Sequence, residues 1–273
     1  MMGDKMNNTI KKVLKILYNV FFKNLSIVIQ KFFRTVDEQN FYISKALVVN
    51  QVHQETFKEY KNKYNGKEIA IIATAPSLNN YKPIPNTINI GVNKAFLFKK
   101  IKMDYIFMMD YNNVKDYIEQ LGMDKYKDIT KFYAIYPETI YGLKEKISKK
   151  LIIPETIAIK HNAKRYYVYS CTDYKNPARF FLEIDKTWIK DGGSTVFPAL
   201  QFALFTNPKR IYLVGCDCST GHFDDKKNNY DFSQMIKTWK CFKEFADLYY
   251  PGTEIISVNP VGLKGLFKDL YQE

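Results

Sequence analysis

The chain has 273 residues, 46% of them hydrophobic, which is enough for one large domain or two small ones and excludes a disordered polymer. The formal net charge is +13, and residues 1–35 hold seven basic side chains against Asp4 alone, so +6 of the +13 lies there. Charge gathered in one amphipathic segment argues against a nucleic-acid binder, which spreads it over a recognition face. Cys171, Cys216, Cys218 and Cys241 lack metal-ligand spacing and read as reduced, structural thiols of a cytoplasmic protein.

In residues 8–34, Ile10, Val13, Leu14, Leu17, Phe21, Leu25, Val28 and Phe32 step by three or four, with lysines and amides on much of the opposite face. That pattern predicts a helix lying flat on an anionic membrane, peripheral on the inner face. Lys15, Lys23 and Lys31 interrupt it, so it is not expected to cross the bilayer, and no signal-peptide cleavage site is present. Packing on its own domain or on a second copy of the chain are the other readings. Residues 35–66 read as further helix and a polar connector, dividing a basic extension (1–60) from a catalytic domain (61–273).

From Lys67 strands and helices alternate. Residues 68–73 form an apolar strand that runs into Thr74-Ala-Pro76-Ser77-Leu78, a turn whose small residues admit a phosphate or sugar to the backbone. Residues 87–92 and 105–109 are the next strands, ending in Asn93 and Asp110. Three polar strand ends on one rim indicate a ligand, although Asp110 is also a candidate cap for a helix over 114–121. Residues 130–136 and 164–169 read as strands, and 151–153 and 156–159 as extended. An aperiodic stretch within about 160–192 reads as a lid, with Arg179, Lys186 and Lys190 able to meet an anion.

Asp191-Gly-Gly-Ser194-Thr195 then opens a helix, with Ser194 or Thr195 as its cap and Ala199, Leu200, Ala203 and Leu204 on one face. Residues 211–214 form a fully apolar strand ending in Gly215-Cys-Asp217, followed by a polar loop containing His222 and Tyr230. A helix over about 233–249, a last strand at 254–258 and a short terminal helix complete the chain. The whole predicts a Rossmann-like α/β fold: a mostly parallel sheet, helices on both faces, and ligands at the strands' carboxyl ends. Loop residue His222 is a candidate general base.

The motifs Ala75-Pro-Ser-Leu78, Gly91-Val-Asn93, Gly192-Gly-Ser-Thr195 and Ile211-Tyr-Leu-Val-Gly-Cys-Asp217, in that order over residues 61–273, resemble the bacterial sialyltransferases of glycosyltransferase family 42. They also resemble the 6-hydroxymethylpterin diphosphokinase-like group found among surface-polysaccharide enzymes. The resemblance implies that Pro76 and Ser77 belong to the nucleotide loop, that Asn93 and Ser194 contact the donor, and that Gly215 and Asp217 form the Gly-x-Asp strand end. It departs in three places. Ala73-Thr74-Ala75 replaces Gly-Asn-Gly, Asp110 replaces an asparagine, and neither the phosphate-stabilising tyrosines nor the base histidine has a counterpart.

The resulting expectation is a metal-independent, inverting glycosyltransferase that moves a sugar, sialic-acid-like or other, from a CMP-linked or other nucleotide-sugar to a glycan or glycolipid acceptor. No cofactor or metal is expected, because the only Asp-x-Asp candidate, Asp217-Cys-Ser, lacks its second carboxylate. Thr74, Pro76, Ser77, Asn93, Asp110, Ser194, Thr195 and Gly215 hold the nucleotide, Asp217 orders the site, and His222 or Tyr230 handles the proton or the phosphate. A metal-dependent pterin or nucleotide diphosphokinase, with Asp110 and Asp217 as ligands, and a non-catalytic nucleotide-binding protein are the alternatives. A homo-oligomer is compatible with the sequence.

Overall fold

The computed structural model describes residues 2–135, 153–169, 180–226 and 231–273. The chain forms two compact units, residues 1–48 and 49–273. Helix α1 (Met2–Phe57) supplies all of the first unit and, from Val49 on, part of the second.

The second unit is built on a nine-stranded sheet. Its strands are β1 (Glu68–Ile72), β2 (Thr87–Val92), β3 (Tyr105–Met108), β4 (Thr130–Ile135), β5 (Lys164–Tyr169), β6 (Ile189–Lys190), β7 (Arg210–Val214), β8 (Glu254–Val258) and β9 (Lys268–Leu270). Their order is β6-β5-β4-β3-β2-β1-β7-β8-β9, with every neighbouring pair parallel. The chain therefore walks outward from β1 to β6, then returns to lay β7 on the other flank of β1. Such a reversal opens a crevice between two neighbouring strand ends, where open α/β sheets take ligands.

Sequence accounts for the sheet. β1 and β7 are almost wholly apolar, as burial on both faces requires, and each is buried beyond its first residue. At their amino ends Arg210 Nη1 donates to Glu68 Oε1 (2.8 Å) and Nε to Glu254 Oε2 (2.6 Å), so opposite charges at one register level pin three adjacent strands. One face packs under α2 (Tyr111–Leu121) and α3 (Glu155–Lys160). The other packs under α4 (Val196–Phe205) and α5 (Ser233–Tyr249), where Phe107, Phe132, Phe197, Phe202 and Phe242 dominate.

Four local expectations are corrected. All ten residues of α4 are buried, so it is a core helix rather than one with a single apolar face. Its one amide, Gln201, donates to Lys190 O (2.7 Å) and Phe197 O (3.0 Å) and accepts from Lys190 N–H (3.1 Å). Residues 156–159 are helical, because Pro154 stands at the N-cap and Glu155 in the first turn, which outweighs three β-branched residues. The terminal helix is instead strand β9, captured by the open edge of β8 with Asn259 N–H donating to Leu270 O (2.8 Å). Asp110 precedes α2 in a left-handed conformation (φ 64°) and makes no side-chain cap hydrogen bond. The expected strand at 151–153 falls largely outside the described residues.

His53, fully buried on the last turns of α1, lies 2.8 Å from Ile184 O through Nδ1 and accepts the Tyr167 N–H through Nε2 (2.7 Å). These contacts fix a neutral ring with its proton on Nδ1. Burial is the main force that lowers its pKa from 6.5 to about 4, against the carbonyl bonds that raise it. Because the unfolded chain protonates first, this contribution is complete above pH 6.5 and lost as the pH falls toward 4. Its full size is about 3 kcal/mol. Urea titrations at pH 7 and pH 5 are expected to show the loss in the native chain, and a His53→Phe variant is expected to be less stable at pH 7 but to lose less on acidification.

Candidate functional site

The loops that leave β1 and β7 meet across the crevice. Ala73 N–H donates to Val214 O (2.8 Å) and Ala75 N–H to Gly215 O (3.1 Å), continuing the ladder past the strands. Gly215 permits this approach: its φ is +65°, and a Cβ there would lie 2.9 Å from the Ala73 carbonyl oxygen. Asp217, 3% exposed, then reaches back to Pro76–Asn80, a single 3₁₀ turn. Its Oδ2 accepts the Ser77 N–H at 2.9 Å and its Oδ1 accepts the Ser77 hydroxyl. Burial pushes the Asp217 carboxyl pKa up, opposed by these two hydrogen bonds. Ser77 and Asp217 therefore serve each other, and the pair fixes the floor of the crevice.

His222 comes from the same loop. Its Nδ1 lies 3.1 Å from Thr74 Oγ1, while Phe223 N–H donates to Thr74 O (2.9 Å) and Asn79 Nδ2 to Phe223 O (3.0 Å). Burial foremost, then the charge of Lys94, lowers the His222 pKa below 6.5, so the ring is neutral at pH 7. A neutral imidazole at a strand-end crevice has the protonation state that a general base needs.

The β2 side completes the rim. Asn93 sits in the left-handed region (φ 49°) directly after β2, and its Oδ1 accepts from Thr195 Oγ1 at 3.2 Å. Thr195 thus braces the β2 end instead of capping α4, while Ser194 Oγ accepts the Val196 N–H at 3.4 Å. Gly193, next to Ser194, is exposed, and the turn is closed on itself by Gly193 N–H donating to Asp191 Oδ1 (3.3 Å) and Ser194 N–H to Asp191 O (2.9 Å).

Sequence reading passed over Lys94, which is 6% exposed and whose ammonium grips Asp224 through both oxygens at 2.7 and 2.9 Å. Burial raises the Asp224 pKa, but the hydrogen bond and charge of Lys94 outweigh it and hold the carboxyl below its usual value. The signal available was a lysine next to a polar strand end together with two aspartates in the facing loop. Among the lid cations, Lys186 binds Glu183 (2.8 Å) and Lys190 is buried against the Tyr169 ring, 5.4 Å from its centroid. Tyr230 and Arg179 lie outside the described residues, as does lid segment 170–179. Cys216, Cys218 and Cys241 are free thiols. Among the described residues, no group of three or more His, Cys, Asp or Glu side chains is placed to hold a metal ion.

No family model matches the chain, and no curated protein does. Solved structures resemble it at low identity. A Maf glycosyltransferase from Magnetospirillum magneticum AMB-1 superposes with a TM-score of 0.46 at 13% identity, covering 82% of this chain and 38% of its own. The sialyltransferase CstII from Campylobacter jejuni, in complex with the substrate analogue CMP-3FNeuAc, gives 0.44 at 14% identity over 75% of this chain and 86% of its own. CST-II with a trisaccharide acceptor and CMP gives 0.45 at 14% identity with the same coverage.

Proposed function

We propose that this chain is a glycosyltransferase that holds the nucleotide of a sugar donor at the crevice between β1 and β7. The observation that carries the reading is a neutral His222 held 3.1 Å from Thr74 past the end of β1, in the same pair of loops as the Ser77–Asp217 pair. Glycosyl transfer requires an acceptor hydroxyl to lose its proton, a leaving phosphate to be stabilised and the reacting carbon to be held between them. His222 takes the proton, Lys94 offsets negative charge as Asp224 yields to the phosphate, and the Ser194 hydroxyl at the head of α4 donates to it. Asp217 acts by positioning Ser77. Thr74, Asn93 and Thr195 fix the loops that frame the donor. The transfer is an inverting displacement, CMP-linked or other donors are within its scope, and the acceptor is a glycan or glycolipid.

A thermal-shift screen with CMP, CDP, UDP, GDP and ATP, each with and without Mg²⁺, tests the binding half of this reading. One nucleotide is expected to raise the melting temperature without metal, by the equivalent of about 2.7 kcal/mol at a hundredfold excess over its Kd. No shift with any nucleotide overturns the proposal. Stabilisation by ATP alone, and only with Mg²⁺, favours the diphosphokinase reading.

A further inference from the structure

Helix α1 carries an uncovered apolar surface. Among the described side chains, fifteen large apolar residues between Ile10 and Phe33 are 41% to 64% exposed. They are not confined to the stripe through Leu17, Phe21 and Val28. At 100° per residue, Ile16, Val20 and Ile27 fall on one side of that stripe and Phe22, Ile29 and Phe33 on the other. Between Ile16 and Phe33 the apolar arc thus covers about 260° of the circumference. Opposite the stripe's centre run Asn19, Lys23, Ser26 and Gln30, spaced four, three and four residues apart, while Asn24 and Lys31 fall inside the apolar arc, within about 60° of the stripe's centre. Over Ile10–Val36 the helix is long and apolar enough, by length and composition, to cross a membrane, which the lysine interruptions had argued against.

We propose that residues 10–36 lie in the plane of an anionic lipid surface, immersed past their midline, with the strip at Asn19, Ser26 and Gln30 facing water and Lys31 reaching the headgroups along its aliphatic stem. A polar strip running the helix's length fits an in-plane helix, because a span would place Asn19, Asn24, Ser26 and Gln30 all in hydrocarbon, against Asn24 alone in plane. A helix resting lightly on the surface would leave Ile16, Phe22, Ile27, Ile29 and Phe33 above its equator in water. Lys11, Lys12, Lys15, Lys31 and Arg34 border the apolar stretch and suit anionic headgroups, each adding about 1 kcal/mol.

Single tryptophans placed in the full chain at Phe21, Ser26 and Phe32 decide the orientation, read as the change in emission over the native Trp188 and Trp239. The probe is phosphatidylcholine vesicles with 30% phosphatidylglycerol and brominated acyl chains. The proposal expects strong quenching of Phe21→Trp and Phe32→Trp and little of Ser26→Trp, so that depth follows helix face. Depth following sequence position, with Phe21→Trp and Ser26→Trp deep and Phe32→Trp shallow, would establish a span and overturn it. Absence of vesicle binding together with self-association of the chain would overturn it in favour of a helix bundle.

A second observation stands apart at the amino edge of the sheet. A cavity of about 490 Å³ there is lined by Lys127, Lys131, Lys160, His161 and Lys164, with Asp124 as the one carboxylate. Lys131, near the start of β4, is 7% exposed, and its ammonium makes no hydrogen bond or ion pair among the described residues. Lys164 is neutralised by Glu59 (2.6 Å), and burial lowers the His161 pKa, which leaves Lys127, Lys131 and Lys160 against the single carboxylate of Asp124. A buried ammonium without a counter-ion is costly. The geometry points to a phosphate-bearing small molecule as its occupant. Thermal denaturation with pyrophosphate, against chloride at equal ionic strength, is expected to stabilise the native chain. In Lys131→Met, that stabilisation should vanish while the ligand-free melting temperature rises. A pyrophosphate shift retained in Lys131→Met, or absent from the native chain, overturns the assignment.

Discussion

Replacing His222 by alanine is expected to slow sugar transfer by about 10²- to 10⁴-fold, the range for loss of a positioned general base. Donor affinity should change little, because the imidazole meets Thr74 and not the turn at Asp191–Thr195. The pH dependence carries a sharper signature. Activity requires the unprotonated ring, so the acidic limb of kcat/KM should fall at a pH below the ordinary imidazole value of 6.5. Burial is the larger cause of that depression and the charge of Lys94 the next. Lys94→Met should therefore move the limb upward without abolishing it. A His222→Ala enzyme with normal turnover removes this histidine from the mechanism.

Asp217→Ala is expected to lower unfolding free energy by about 2–4 kcal/mol and to cost transfer about a hundredfold or more. The substitution strands the Ser77 N–H and hydroxyl in a site with almost no access to water. It also releases the floor on which the β1 and β7 loops are registered. Asp217→Asn keeps the shape and one acceptor, so it should recover most of the stability. Because burial pushes the aspartate's pKa up, the native carboxylate already carries a desolvation cost that asparagine avoids. Urea denaturation and donor turnover measured on both variants separate positioning from direct chemistry. Full activity in Asp217→Ala would show that Ser77 needs no anchor.

Much of this architecture is visible in the chain itself. The apolar runs at residues 68–73 and 211–214 read as strands, the second covered on both faces, because the sheet buries both, and Thr74, Asn93 and Asp110 flag one rim because strands in parallel end on the same side. What failed was local. The β-branched residues Thr156, Ile157 and Ile159 imitate a strand, and only Pro154 and Glu155 betray the helix. The terminal segment carries no strand periodicity of its own and is ordered by the free edge of β8. Ser194 and Thr195 look like caps because their spacing suits one, yet the Thr195 hydroxyl answers to Asn93, about a hundred residues away in the chain. The contacts that define the site, Ser77 with Asp217 and Lys94 with Asp224, join residues 140 and 130 positions apart, a separation at which periodicity is silent.

The central claim is best tested by turnover with an identified donor. The full chain, incubated without added metal against a panel of CMP-, UDP- and GDP-linked sugars and an oligosaccharide acceptor mixture, should release free nucleotide from one donor class and add one sugar mass to an acceptor. Both signals should be lost in His222→Ala. Nucleotide binding with no donor consumed would reduce the protein to a binding module, and Mg²⁺-dependent conversion of ATP to AMP in place of sugar transfer would contradict the account outright.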